Sequence, residues 1–136
     1  MNAWETPREL YIGRWQPFHN GHMAIIKQAL SQGKPVAIGI RSMPLSESDP
    51  WLPGEVKDML ETVFANDDVA VFIMPNICAV NIGRKVGYEI TRHDMPENIT
   101  CISATGIRTA RDTGDDSWRS KVPLAVERWL DRQDES

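Results

Sequence analysis

Apolar positions along the chain alternate between short unbroken runs and stripes at helical spacing. Leu10-Tyr11-Ile12-Gly13 is an apolar run closed by glycine, which predicts a first strand. Over residues 22–30, Met23, Ile26, Ala29 and Leu30 recur at helical spacing, and Gly33 followed by Pro35 supplies the stop. Val36-Ala37-Ile38-Gly39-Ile40 is continuously apolar, as expected of a parallel strand covered on both faces. Residues 42–53 carry three prolines, three serines and no period, and read as a long loop. A second helix is predicted over residues 55–64, with Val56, Met59, Leu60 and Val63 on one face, and a third strand over residues 69–74. Residues 79–83 and 88–91 read as short fourth and fifth strands. Residues 99–102 lead into a helix over about 104–111, and residues 123–130 form the last helix.

Strand, helix, strand, helix, strand in that order predicts an α/β fold, a Rossmann-like open parallel sheet with helices on both faces. With 136 residues and no linker, repeat or low-complexity tract, the chain is expected to form one domain over 1–136. Residues 1–6 read as a lead-in and residues 132–136 as a polar tail. Ligands of such sheets bind outside the carboxyl ends of the strands, where the strand order reverses. That rule singles out the residues after Ile12 and those before Ala104.

Composition narrows the partners. Apolar residues at 41% and charged residues at 25% fit a folded globular chain rather than a disordered one. A formal net charge of −4 argues against a nucleic-acid partner, which calls for a basic excess, yet leaves room for a local basic cluster to bind a triphosphate. Cys78 and Cys101 fall in apolar stretches and are read as buried free thiols in a reducing compartment, a disulfide being the alternative. No leader-like segment and no apolar stretch near ~20 residues is present, so no membrane partner and a cytoplasmic location are expected.

The first chemistry-bearing stretch is Gly13-Arg14-Trp15-Gln16-Pro17-Phe18-His19-Asn20-Gly21-His22, where a strand gives way to a helix. Gly13 lets backbone approach a ligand, and Gly21 would let the chain turn sharply into a helix whose N-terminal N–H groups favour an anion. His19 and His22 stand three apart at the helix entrance, so both rings can reach the same phosphates; imidazole offers N–H donors and can be cationic beside an anion. Plain solvated histidines are the competing reading. A metal pair is disfavoured, because no nearby carboxylate or cysteine completes a ligand set, and no protein metal site is expected.

The second stretch is Ile102-Ser103-Ala104-Thr105-Gly106-Ile107-Arg108. Ser103 suits an N-cap, Thr105 sits in the first turn, and Arg108 lies about one turn later, where a guanidinium can chelate phosphate oxygens. An ordinary capped helix with a solvated arginine is the competing reading.

The first stretch resembles the signature of the H-x-G-H nucleotidyltransferase superfamily, and is most similar to its archaeal-type nicotinamide-mononucleotide adenylyltransferases. The second resembles the later superfamily signature, serine-(glycine or serine)-threonine-x-x-arginine, with Ala104 in the small position. Trp118 and Val122-Pro123-Leu124-Ala125-Val126 are similar to the tail of the archaeal-type enzymes. The resemblance implies in-line attack of an acceptor phosphate on the α-phosphorus of a nucleoside triphosphate, with pyrophosphate leaving. It implies that His19, His22 and Arg108 are catalytic and that Arg14 helps hold the β- and γ-phosphates. Ser103 and Thr105 would anchor phosphate beside Ile102, and Gly13, Trp15, Phe18 and Gly21 would shape the nucleotide pocket. Mg²⁺ would arrive with the triphosphate.

ATP and nicotinamide mononucleotide are the substrates that the nearer signature implies. The chain departs from it after Met74, where Pro75-Asn76-Ile77-Cys78 keeps an asparagine without the expected tryptophan, and it is shorter between residues 75 and 98. Two alternatives stay open. One is a cytidylyltransferase using CTP and a phosphorylated alcohol such as glycerol 3-phosphate, whose signature has glycine-threonine-phenylalanine where this chain has Gly13-Arg14-Trp15. The other is a non-catalytic sensor of ATP or NAD. Residues 42–53 read equally as a lid or a surface loop, and Trp51 as a stacking platform or as loop packing, the commoner case. The last helix packs on the core or on a second subunit, so a homo-oligomer stays open. His93 reads as structural.

Overall fold

The unbroken apolar run at residues 36–40 is buried throughout and forms the middle of a parallel sheet. In the computed structural model, which describes residues 4–84, 87, 89–91, 93 and 102–135, this strand is β2 (Val36–Arg41). It lies between β1 (Glu9–Gly13) and β3 (Val69–Met74) in the order β1-β2-β3. Gly13 is paired with Ile40 and Arg41 with Met74, so the strands end together along one edge. The helices are α1 (Asn20–Ser31), α2 (Pro53–Val63), α3 (Ala104–Thr113) and α4 (Leu124–Asp134), with a 3-10 helix (Asp116–Lys121) before α4. The result is the expected open Rossmann-like α/β fold, a parallel sheet flanked by helices on both sides.

One hydrophobic cluster joins the elements. Val36, Ile38 and Ile40 of β2 meet Ile26 of α1, Val56, Met59 and Leu60 of α2, Ile107 of α3, and Val126, Trp129 and Leu130 of α4. Each such aliphatic side chain contributes roughly 1.5–3 kcal/mol on burial, before the entropy of ordering is counted. The Trp129 indole reaches past this layer to donate to Asp58 Oδ2 at 2.9 Å, which ties α4 to α2. Pro53 occupies the first turn of α2, where its missing N–H is no loss. Gly33, at φ +75°, closes α1 in the left-handed conformation that glycine adopts without strain, as its place after the helical stripe predicts.

Several expectations are corrected. Residues 79–83 and 89–91 carry no strand, and Val80, Ile82 and Ile90 are exposed, so their apolar character does not reflect burial in the sheet. Position 88 and residues 99–101 lie outside the described residues. Among the described residues β3 pairs only with β2, and Val71 is buried while Ile73 is exposed. Arg132 to Asp134 belong to α4 rather than to a polar tail. Cys78 is exposed and outside any strand, against the buried thiol expected; Cys101 lies outside the described residues. Residues 42–52 form the expected loop, without helix or strand. Among the described residues no helix is long and apolar enough to cross a membrane.

Candidate active site

β1 ends at Gly13, and the chain turns at once. The turn falls at Trp15, whose φ of +57° lies in the left-handed region, rather than at Gly21, which is already in the first turn of α1. For a non-glycine residue that conformation costs of order 1 kcal/mol. The Trp15 indole is held in return: its N–H donates to Gly39 O at 3.1 Å, and its ring lies over Gly13, where an added Cβ would meet Trp15 Cε2 at 2.9 Å. Gly13 is therefore required by the tryptophan above it.

The two histidines begin α1 as a reciprocal cap. His19, the N-cap, accepts from Gly21 N through Nδ1 at 3.1 Å, and His22 Nδ1 accepts from His19 N at 3.2 Å. Their rings stack 3.6 Å apart, with Trp15 and Phe18 beside His22. A ring nitrogen that accepts is unprotonated, so each neutral imidazole keeps its proton on Nε2 as a donor. Burial pushes His19 down to about 4. It pushes His22 down to about 3, with help from the neighbouring His19. In the free protein both rings are neutral at pH 7. Phe18, expected to shape a nucleotide pocket, is fully buried, with its ring against those of Trp15, His22 and Phe64.

The second stretch arrives beside the first. Ser103 caps α3, its hydroxyl accepting from Gly106 N at 3.0 Å, and Ile102 packs against the core. Thr105 is exposed in the first turn and accepts from Arg108 Nη2 at 3.2 Å. Arg108 Nη1 donates to Gln16 O at 2.6 Å, joining positions 92 residues apart. Arg14 is near enough that its charge, after burial, lowers Arg108's proton affinity, while Asp49 and Asp112 oppose the effect. The two stretches thus meet through Arg108, with Arg14, Thr105 and Arg108 reachable from solvent. Asn20 ties α1 to the 3-10 helix by donating to Ser120 O at 3.0 Å.

Two further residues build the site without having been singled out. Gln16 clasps Trp51: its Nε2 donates to Trp51 O at 2.9 Å and its Oε1 accepts from Trp51 N at 3.1 Å, both buried. Asp49 accepts from Arg14 Nη1 at 3.3 Å. Gln16 was visible as part of the signature, although its partner was not. Nothing in the pattern of residues 42–53 marked Asp49. Trp51 is buried against Trp129 at 5.8 Å and is loop packing, not a stacking platform. Between this loop and helices α3 and α4 runs a cleft of about 570 Å³, with Thr105 and Arg108 in one wall and Arg111 and Asp112 beyond them. Tyr11 stacks on His93 at 6.1 Å, consistent with a structural His93.

A parallel sheet whose strand exits open onto helix N-termini places this chain among the α/β proteins that carry their sites at the carboxyl edge of the sheet. Comparison with known proteins is more specific. The cytidylyltransferase-like family model matches residues 10–128, and the chain belongs to that family. It is 30% identical to a nicotinamide-nucleotide adenylyltransferase of Picrophilus torridus, covering 93% of this chain and 92% of the relative. It is 28% identical to the protein of that name from Methanococcus aeolicus over 93% of this chain and 90% of the relative. The Methanococcus maripaludis protein is 38% identical over 52% of this chain. The Picrophilus alignment spans 157 positions, more than the 136 residues of this chain, so the relative carries internal segments that this chain lacks.

Proposed function

We propose that the protein is an adenylyltransferase, moving AMP from ATP to a phosphate-bearing acceptor, with nicotinamide mononucleotide as acceptor and NAD and pyrophosphate as products. One observation carries this reading: the 2.6 Å hydrogen bond from Arg108 to Gln16 O, which brings the guanidinium of the late helix onto the histidine-bearing turn of the early one. A triphosphate laid there would meet the Nε2 donors of His19 and His22, the first-turn amides of α1 and α3, and the guanidinium groups of Arg14 and Arg108.

The chemistry asks for positioning and charge stabilisation. An oxygen of the acceptor phosphate attacks the α-phosphorus. The bond from that phosphorus to the oxygen bridging to the β-phosphate breaks, and its electron pair leaves with pyrophosphate. His19 and His22 donate to oxygens that gain charge in the transition state, and Arg14 and Arg108 hold the departing phosphates. Ser103 and Thr105 anchor phosphate at the start of α3. Gly13, Trp15 and Gly21 bring backbone close to the nucleotide. Among the described residues no group of three or more His, Cys, Asp or Glu side chains is gathered to cage a metal. Magnesium carried by the phosphates and water, needing few protein ligands, fits that donor set and would offset phosphate charge.

The test offers ATP and CTP, each with nicotinamide mononucleotide and with glycerol 3-phosphate, and follows pyrophosphate release. Release only with ATP and nicotinamide mononucleotide supports the reading. Release with CTP and the phosphorylated alcohol would move the chain to the cytidylyl branch, and binding without release would make it a sensor. His22→Ala is expected to lower turnover roughly 10²-fold, the scale of one preorganised donor.

A further inference from the structure

Asp49 is the most buried charged side chain near the site, only 2% exposed. Carboxylates are seldom buried to that degree unless well paired. Its pairing is thin. Oδ2 accepts from Arg14 Nη1 at 3.3 Å and from the Ser46 hydroxyl at 3.5 Å, and Oδ1 has no hydrogen-bond partner among the described residues. The Arg14 side chain is 43% exposed, so one member of the pair lies in the protein and the other near water. As a device for stability this is a poor arrangement, since desolvation falls on the carboxylate while solvent screens the attraction. The loop nevertheless fixes the carboxylate firmly. Asp49 N donates to Ser46 Oγ at 3.1 Å, Ser46 N donates to Asp49 O at 3.0 Å, and the Gln16 clasp on Trp51 lies two residues on.

The position explains what stability does not. Arg14 lies close enough to disfavour the charge on Arg108, and Asp49 acts on Arg108 in the opposite sense. We propose that Asp49 is a resident counter-anion of the polyphosphate subsite: it holds Arg14 in the empty protein, competes with phosphate for that guanidinium, and so limits the affinity for pyrophosphate. The role rests on the assignment of Arg14 and Arg108 to the β- and γ-phosphates. Asp49 is a positioning residue that acts through Arg14 and touches no substrate.

Two effects oppose each other when the charge is removed. Loss of the ion pair leaves Arg14 unpositioned and weakens binding, by less than about tenfold for a pair with an exposed partner. Loss of the repulsion strengthens binding. A phosphate on the far edge of the guanidinium would lie ~6 Å from the carboxylate, and like charges at that separation near a protein surface change affinity by roughly tenfold to a hundredfold. The repulsion is the larger effect, so neutralising Asp49 tightens binding. Damage to the loop alone would act with the opposite sign.

The experiment is calorimetric titration of the full chain with inorganic pyrophosphate and magnesium. Asp49→Asn is expected to bind about tenfold tighter than the wild type, and Asp49→Glu, which keeps the charge, within a few-fold of it. Asp49→Ser removes the charge in a smaller side chain and replaces Asp49→Asn if thermal melting shows that variant unfolded. In an Arg14→Gln background the gain should shrink to a few-fold, because no guanidinium then draws a phosphate to within ~6 Å of the carboxylate. Unchanged or weaker binding by the neutral variants overturns the counter-anion, as does a full gain that survives in Arg14→Gln. A wild-type chain that takes up neither pyrophosphate nor ATP overturns the polyphosphate site itself; one that binds both, with no tightening in the variants, overturns this inference alone.

Discussion

The stacked histidines make acid stability a direct test of the site's construction. Their folded-state values, about 4 for His19 and about 3 for His22, lie below the ordinary 6.5 because burial disfavours the cation. A depressed value means that unfolding takes up protons. The stabilising contribution is therefore complete above about pH 6.5 and is lost progressively as pH falls toward 4 and then 3. At pH 5 an unfolded imidazole is almost wholly protonated while both buried rings stay neutral, and linkage puts the loss near ~2 kcal/mol for each ring. Together the loss is roughly 4 kcal/mol, a large share of the ~5–15 kcal/mol that holds an ordinary domain. The assay is urea unfolding followed by tryptophan fluorescence from pH 8 to pH 4.5, on the wild type and on His19→Asn/His22→Asn. Asparagine can accept at the helix start without titrating. The wild type should lose stability steeply below pH 6.5, with a slope approaching two protons per molecule, and the double variant should not. A flat wild-type profile between pH 7 and pH 5, or an equal fall in both proteins, would refute the desolvated neutral pair.

Other expectations follow from single contacts. Gln16→Ala leaves the buried N–H and C=O of Trp51 unpaired, so stability should fall by roughly 2–4 kcal/mol, and hydrogen exchange at the Trp51 amide should accelerate in the same variant. Arg108→Lys cannot hold Gln16 O and Thr105 Oγ1 together, because an ammonium lacks the planar fork. Its kcat/KM for ATP should drop about tenfold to a hundredfold on losing a bidentate contact, and a rate near wild type in a folded variant would remove Arg108 from the site. Gly13→Ala drives a Cβ into the Trp15 ring at 2.9 Å. Overpacking of this kind costs about 1–3 kcal/mol, and a changed Trp15 fluorescence spectrum should accompany it.

The sheet was legible because β2 repeats apolar residues without a break and the helices carry clean stripes, Val56, Met59 and Leu60 among them. Pattern misled where exposure and apolarity part company. Val80, Ile82 and Ile90 look like strand residues in sequence, but nothing in a one-dimensional pattern says whether a sheet position is open to receive them. The two signature stretches were readable because each leads into a helix, α1 or α3, and combines rare residue types. What they do locally was not. The Nδ1 atoms of His19 and His22 are committed to capping α1, which fixes the rings before any ligand arrives, and only three-dimensional contacts reveal that. Asp49 and the partner of Gln16 escaped notice for the same reason: both lie 35 residues from the groups they bind, across a loop with no period.

The clasp between Gln16 and position 51 grips main-chain atoms alone. Any residue other than proline offers the same N–H and C=O, so mutation of Trp51 would change what fills the hollow beneath the loop without severing the tether. Descendants of this chain are thereby free to vary the side chains of residues 42–50 other than Ser42, Ser46 and Asp49, and with them the rim presented to an incoming molecule, over an anchorage that selection need not rebuild.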